Sequence, residues 1–391
     1  MRYFYRIFSN LNEASRITKQ IGTLTWADKL FINYVKMPQF LKIHGPTGYE
    51  VTKDIDLTGK TCLITGGTSG IGLEIIKCLV ARNCKVITAC RNPYAAKVIS
   101  NNVWGDQQNL DIYTTDLKSL KSVKQCSDQI LARQEKIDIV ILNAAIFGIP
   151  WTLTEDGLET IFQVNYLSQL FLLLNIEEIF SPDIRVVFMS SESHRNLKWA
   201  IQDTITPTQD LLSLPREEYT SIKAYNISKL CGILAMHYLS YRWLNKGRSV
   251  FCAHPGSFVK TKLCSNWWVW EALYTLMIPF SKSIPQAAAT PLYCATSPDL
   301  QGLSDLYIKD LKDSDESELA KNTHLAFRVI ELSREIIRER IAIPEESLLT
   351  PKKVEYIEKP VTTTIEPDQD KSAPEPAKSS VRETVLNTSS L

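Results

Sequence analysis

An uninterrupted apolar run of about 18 residues, the length a spanning helix needs, is missing from this chain of 391 residues. The expectation is a protein without a transmembrane span, with a peripheral membrane contact left open. A Cys-x-x-Cys pair is missing too. The nine cysteines are odd in number and scattered. Cys62, Cys78, Cys90 and Cys252 fall in apolar patterns and read as buried thiols in a reducing compartment, with neither a disulfide framework nor a metal site suggested. Charge of one sign is also missing. Lys and Arg number 44 against 43 Asp and Glu, a formal net charge of +1, so no electrostatic footprint for nucleic acid exists. What remains is an ordinary globular composition, 44% hydrophobic and 22% charged, of a length that suits one large domain with extensions.

The ends differ from the middle. Met1-Arg2-Tyr3-Phe4-Tyr5-Arg6-Ile7-Phe8 is basic and aromatic. It fits a helical extension over residues 1–53, or else a mitochondrial presequence; a cytoplasmic location is expected, with mitochondrial as the alternative. Residues 344–391 hold six of the 18 prolines and one aromatic, Tyr356. Such a stretch buries too little apolar surface to order itself and is expected to be a disordered tail. Between them, in a domain over residues 54–343, candidate strands (61–65, 85–90, 111–115, 137–142, 185–190, 249–253, 305–309) alternate with candidate helices (69–82, 93–103, 117–134, 156–180, 219–245, 284–296, 314–341). The strands are almost continuously apolar, which predicts an α/β fold: a doubly wound parallel sheet, Rossmann-type, covered on both faces. Ligands then bind beyond the carboxyl ends of the strands.

Two motifs carry chemistry. Tyr225 and Lys229 stand four residues apart on a predicted helix, hence on one face. A phenol titrates near 10, and a neighbouring ammonium favours its ionised form, as an acid or base acting on an alcohol or ketone requires. Alone the spacing is common on surfaces. Thr65-Gly66-Gly67-Thr68-Ser69-Gly70-Ile71-Gly72 joins an apolar strand to a helical pattern. Bare glycines admit a pyrophosphate to the backbone, and the helix start offers amides; a tight packed turn is the plainer reading.

Asp116, Asn143-Ala144-Ala145, Ser190-Ser191 and His254-Pro255-Gly256 follow in order, with Tyr225 placed 34 residues after Ser191. This register resembles the short-chain dehydrogenase/reductase family. Pro150 to Asn165, Ser190 to Arg195, Tyr225 to Cys231 and Asn266 to Trp270 resemble its branch that couples the domain to WW modules. A WW module needs two separated tryptophans, and residues 1–50 contain only Trp26.

The resemblance implies an NAD(P)-dependent oxidoreductase with catalytic residues Asn165, Ser191, Tyr225 and Lys229. Ser191 would bind the substrate oxygen, with Ser190 the weaker candidate, and Tyr225 would exchange its proton. Lys229 would lower the tyrosine pKa and hold the nicotinamide ribose, while Asn165 would brace the helix or hold a relay water. The cofactor set it implies is Gly66, Thr68, Ser69, Gly70, Ile71, Gly72, Arg91, Asp116, Leu117, Asn143, Ala144, Tyr225, Lys229, Pro255 and Gly256. Asp116 would bond the adenine amino group. His194 and His254 read as structural.

Arg91 ends the second strand where an NAD site carries a carboxylate. A guanidinium there suits the 2′-phosphate, so NADP is favoured over NAD. Residues 257–283, with Trp267 and Trp268, occupy the place of the substrate lid and imply a hydrophobic substrate of steroid, retinoid or lipid type. A dimer contact, giving a homo-oligomer, or a membrane-resting patch are the other readings. The alternative function is a cofactor-binding regulatory or scaffold protein with little turnover.

Overall fold

A computed structural model describes residues 45–94, 109–197, 199, 206–256 and 282–341. The start of the N-terminal extension, the tail, Trp267 and Trp268, and most of the helix expected at 93–103 lie outside the described residues.

Eight strands form one sheet in the order β3-β2-β1-β4-β5-β6-β7-β8. They are β1 Thr61–Thr65, β2 Lys85–Cys90, β3 Leu110–Thr114, β4 Ile137–Leu142, β5 Phe180–Met189, β6 Ser249–His254, β7 Leu306–Lys309 and β8 Lys312–Asp313. All pairings are parallel except β7 with β8. Every residue of β1 and β6 is buried, the condition under which a strand reads as unbroken apolar sequence. The principal helices are α1 Gly70–Val80, α2 Leu120–Leu131, α3 (Thr160–Phe162 and Ser168–Asn175, joined by the π-helical turn Gln163–Leu167), α4 Ser221–Arg242, α5 Ala289–Thr296 and α6 Thr323–Ile341. One core packs α2, α3, α4 and α6 on one sheet face; the other packs α1 and α5 on the opposite face. The doubly wound architecture is as expected. Strand order reverses between β1 and β4, which opens a crevice at their carboxyl ends.

The main departures from the expected elements are one strand start, one extra strand and two helix starts; the other ends differ by up to five residues. β5 starts at Phe180, not 185, because Phe180 pairs with Ile137 ahead of a register shift; the intervening Ser181-Pro182-Asp183 hides it. β8 is too short and charged to show. The helix expected from 156 starts at Thr160, where the Glu159 carboxylate accepts the Ile161 and Phe162 amides at 2.8 Å each. Burial raises the Glu159 pKa against those bonds. The helix expected from 314 starts at Thr323. Asn322 caps it, its side-chain oxygen accepting the Leu325 amide at 2.9 Å, as short polar side chains do at helix starts.

The turn Gly48–Val51 falls within the stretch assigned to the extension. It packs against α5 closely enough that a Cβ on Gly48 would lie 2.6 Å from Leu292 Cδ1. Arg82, after α1, donates to Thr52 O at 2.5 Å.

Candidate active site

A cavity of about 430 Å³ opens at the crevice. Gly66, Thr68, Ser69, Gly70, Ile71 and Gly72 line it from the β1–α1 turn, Arg91 from the end of β2, Asp116 and Leu117 from the end of β3, and Asn143 and Ala144 from the end of β4. The sequence order thus becomes one wall. Gly66 has φ +68°, a backbone conformation that side chains rarely adopt, and a Cβ there would sit 2.9 Å from Ala144 Cα. A Cβ on Gly72 would meet Gly66 O at 2.3 Å and Asn143 Nδ2 at 2.5 Å. The close helix–strand packing therefore needs these glycines as much as a ligand would. The packed-turn reading is met, and the same bare positions also line the cavity. The N-cap Ser69 makes no side-chain capping bond among the described residues, so the first amides of α1 keep their donors for an anion.

The cradle is clamped by polar groups the motifs did not flag. Thr65 Oγ1 donates to Gln169 Oε1 at 2.5 Å and accepts the Asn143 and Ala144 amides at 3.0 Å each. Asn143 Nδ2 donates to Thr65 O at 3.0 Å and Gly66 O at 3.2 Å. Gln169 Nε2 donates to Ala144 O, Val164 O and Asn165 O at 2.8 to 3.1 Å. Gln169 was detectable: it lies one turn beyond Asn165, a second amide on the same apolar face, and a buried amide must find partners.

The expected catalytic pair, Tyr225 and Lys229, lies on α4 and meets this wall through Phe147. Lys229 is buried on α4; its Nζ donates to Met189 O at 2.8 Å and lies 5.3 Å from the Tyr225 ring centroid. Burial lowers its pKa to about 8, with Cys252 acting weakly the other way. It is therefore still cationic at neutral pH and placed to favour the Tyr225 phenolate. Phe147, which also lines the cavity, packs edge-on to Tyr225 with centroids 5.1 Å apart.

Asn165 sits in the π-helical turn of α3. Its Oδ1 accepts the Ile146 amide at 2.8 Å; its Nδ2 donates to Ile146 O at 3.0 Å and Ser228 Oγ at 3.2 Å. Ser228 Oγ in turn donates to Tyr225 O at 2.7 Å. Asn165 is thus a brace joining the β4 loop to α4, and the π turn, a feature frequent at functional sites, is what aims it.

Ser191 leaves β5 and caps the 3-10 turn Glu192–Asn196, its Oγ accepting the Ser193 amide at 3.3 Å. That bond uses a lone pair and leaves the O–H to donate elsewhere. Ser190 is buried with its Oγ toward Lys229 O at 3.4 Å. Two histidines flank the site. His194 is fully buried with both ring nitrogens on backbone groups. His254 is buried, neither ring nitrogen has a partner among the described residues, and burial lowers its pKa to about 4, so it stays neutral. Pro255 and Gly256 follow it at the end of β6.

A glycine cradle at a helix start, beside a tyrosine, a lysine and a serine donor, can bind a dinucleotide and exchange a proton with a substrate oxygen. Residues 60–197 match the short chain dehydrogenase family. The WW domain-containing oxidoreductase of Drosophila melanogaster is 38% identical over 299 residues, 75% of this chain and 72% of that protein.

The chain belongs to the short-chain dehydrogenase/reductase family. It is an NAD(P)-dependent oxidoreductase. Retinol dehydrogenase 12 of Mus musculus is 31% identical over 312 residues, 79% of this chain and 95% of that one. Among solved structures, a short-chain type dehydrogenase/reductase from Mycobacterium marinum superposes with a TM-score of 0.52 at 19% identity, covering 66% of this chain and 96% of that one; this likeness bears on the fold alone. Among the described residues no helix is long and apolar enough to cross a membrane.

Proposed function

We propose that this short-chain dehydrogenase/reductase uses NADP to interconvert a hydrophobic alcohol and its carbonyl. The observation that carries the reading is the buried Lys229 ammonium beside the Tyr225 ring, whose packing partner Phe147 lines the same cavity as the glycine turn. Gly66 to Gly72 would hold the pyrophosphate at the start of α1, Asp116 would accept from the adenine amino group, and Lys229 would donate to the ribose hydroxyls. The bound nicotinamide supplies or accepts the hydride. Ser191 donates to the substrate oxygen and polarises it. Tyr225 gives that oxygen a proton in reduction and takes it back in oxidation, and Lys229 stabilises the phenolate left behind. Asn165, already braced to Ile146, marks where a water joins Lys229 to solvent.

The mouse relative's name, retinol dehydrogenase, supports an apolar substrate, as does the aromatic-rich stretch 257–283. Among the described residues eight cysteines are buried and free, which supports a reducing compartment and, with it, the cytoplasm.

NADPH oxidation measured against steroid, retinoid and aliphatic carbonyls tests the reading. Turnover is expected with at least one apolar class. A protein that binds NADPH yet turns over none of them is a cofactor-binding regulator instead.

Cofactor choice is placed on Arg91. It is exposed on the cavity wall, and Arg91-Asn92-Pro93-Tyr94 contains no carboxylate. Replacing a phosphate partner with a like charge, Arg91→Asp should weaken NADPH binding by at least about tenfold, the scale of one charge-assisted contact (roughly 1.5–3 kcal/mol). NADH binding should hold steady or improve. Fluorescence titration of both cofactors reads this; a wild type that prefers NADH sinks the assignment.

A further inference from the structure

His194 occupies the turn that carries Ser191. The Ser191 carbonyl accepts the His194 backbone amide at 3.2 Å and is 2.6 Å from its ring Nδ1. On the other side of the ring, Nε2 accepts the Ser317 amide at 3.1 Å. A carbonyl can only accept and a backbone amide can only donate. The ring is therefore fixed as the neutral tautomer with its proton on Nδ1. Burial pushes its pKa below the usual histidine value, consistent with that state.

Ser317 belongs to the stretch 314–322 between β8 and α6, and this stretch is tied down a second time. Glu316 Oε1 lies 3.1 Å from Nε2 of His237, whose Nδ1 is 2.6 Å from Asp305 Oδ1. His237 is on α4, two turns beyond Lys229. The stretch therefore spans from the Ser191 turn to the helix of Tyr225 and Lys229. It is joined to that turn by the His194 ring, which alone of the two contacts also holds the Ser191 carbonyl, and by Arg195, which donates to Asp315 O.

We propose that His194 is a positioning residue: its ring holds the Ser191 carbonyl, and with it the hydroxyl, in register with Tyr225, using the 314–322 stretch as a buttress. This rests on the reading of Ser191 as the group that polarises the substrate oxygen. Displacement of such a group by about 1 Å can cost on the order of 100-fold in rate.

Two amides separate the two sides of the ring. His194→Asn places an amide nitrogen near Nδ1, keeping the donor to Ser191 and dropping the acceptor for Ser317. His194→Gln reaches the Nε2 position, keeping the acceptor and dropping the donor. The expected result is a crossed pattern. The asparagine variant turns over near the wild-type rate with a lowered melting temperature. The glutamine variant keeps its melting temperature and loses about 10- to 100-fold in kcat, with NADPH affinity unchanged in both. Crystal structures of the two variants supply a readout that needs no turnover: Ser191 Oγ should shift relative to Tyr225 in the glutamine variant only. If the wild type turns over no carbonyl, the reading of Ser191 fails, while the crystal structures still decide the role of His194. Rate losses that follow melting temperature in both variants, or an unmoved Ser191 Oγ in the glutamine variant, overturn the inference.

Discussion

Tyr225→Phe should lower kcat for carbonyl reduction by about 10² to 10⁴, the range that a positioned general acid contributes. The substitution keeps the ring that packs edge-on against Phe147 and removes only the hydroxyl, so NADPH affinity and melting temperature should barely change. The same geometry predicts a pH profile. The Lys229 ammonium, with its pKa lowered to about 8 by burial, supports the phenolate only while charged. As pH rises through about 8 the charge is lost, proton donation by Tyr225 costs more, and reduction should slow. The sign on stability is the opposite. Because the folded value lies below the 10.5 of a free lysine, the unfolded chain binds more protons between the two, and stability should rise with pH across that window. Rate and stability should therefore diverge above pH 8, and kcat/KM, which reports the free enzyme, reads the first of them. Wild-type turnover in the phenylalanine variant would remove Tyr225 from the chemistry.

Most of the sheet was legible because parallel strands buried on both faces leave unbroken apolar runs. β1, β2 and β4 fall at their expected bounds. The cradle was legible for a related reason: Gly66 and Gly72 occupy places where a side chain has no room, and such glycines stand out against a strand and a helix. Features without a periodic signal were hidden. A π turn has the composition of the α-helix around it, so Gln163–Leu167 left no trace beyond the polar Asn165. Long-range polar pairs were hidden too. Thr65 with Gln169, and His194 with Ser317 across 123 residues of sequence, are set by topology. His194 reads from the sequence as structural, and the two backbone groups it bonds could be seen only in three dimensions. α4 illustrates the limit from the other side. It is buried over most of its surface, so no one-sided apolar stripe marks it, and the Tyr225–Lys229 spacing was the stronger sign of a helix.

Cutting the chain after residue 312 should abolish cooperative folding, whereas removing residues 345–391 should leave melting temperature and NADPH binding nearly unchanged. The difference lies in α6. That helix buries Leu325, Phe327, Val329, Ile330, Ile336 and Ile337 against the core shared by α2, α3 and α4. Phe327 packs edge-on to Tyr238 and Tyr241 of α4 with centroids 5.2 and 5.4 Å away. Ser333 Oγ is 2.9 Å from the buried Tyr166 hydroxyl of α3, and Arg340 Nε donates to Asp156 O at 2.9 Å. Losing one buried Leu, Ile or Phe side chain costs roughly 2 to 5 kcal/mol, and a domain of this kind is stable by only about 5 to 15 kcal/mol. Five or six such losses together exceed any reserve, and they uncover the face of α4 opposite the active site. The cut after residue 312 also removes Glu316 and Ser317, the partners of His237 and His194. Nothing comparable is encoded after Pro344, where proline, charge and small polar residues replace the apolar spacing, and a segment of that composition makes few buried contacts. Thermal melts of the two truncations beside the full chain decide the point. Equal melting temperatures for the two, or a large loss on removing 345–391 alone, would move the edge of the catalytic domain away from residue 343.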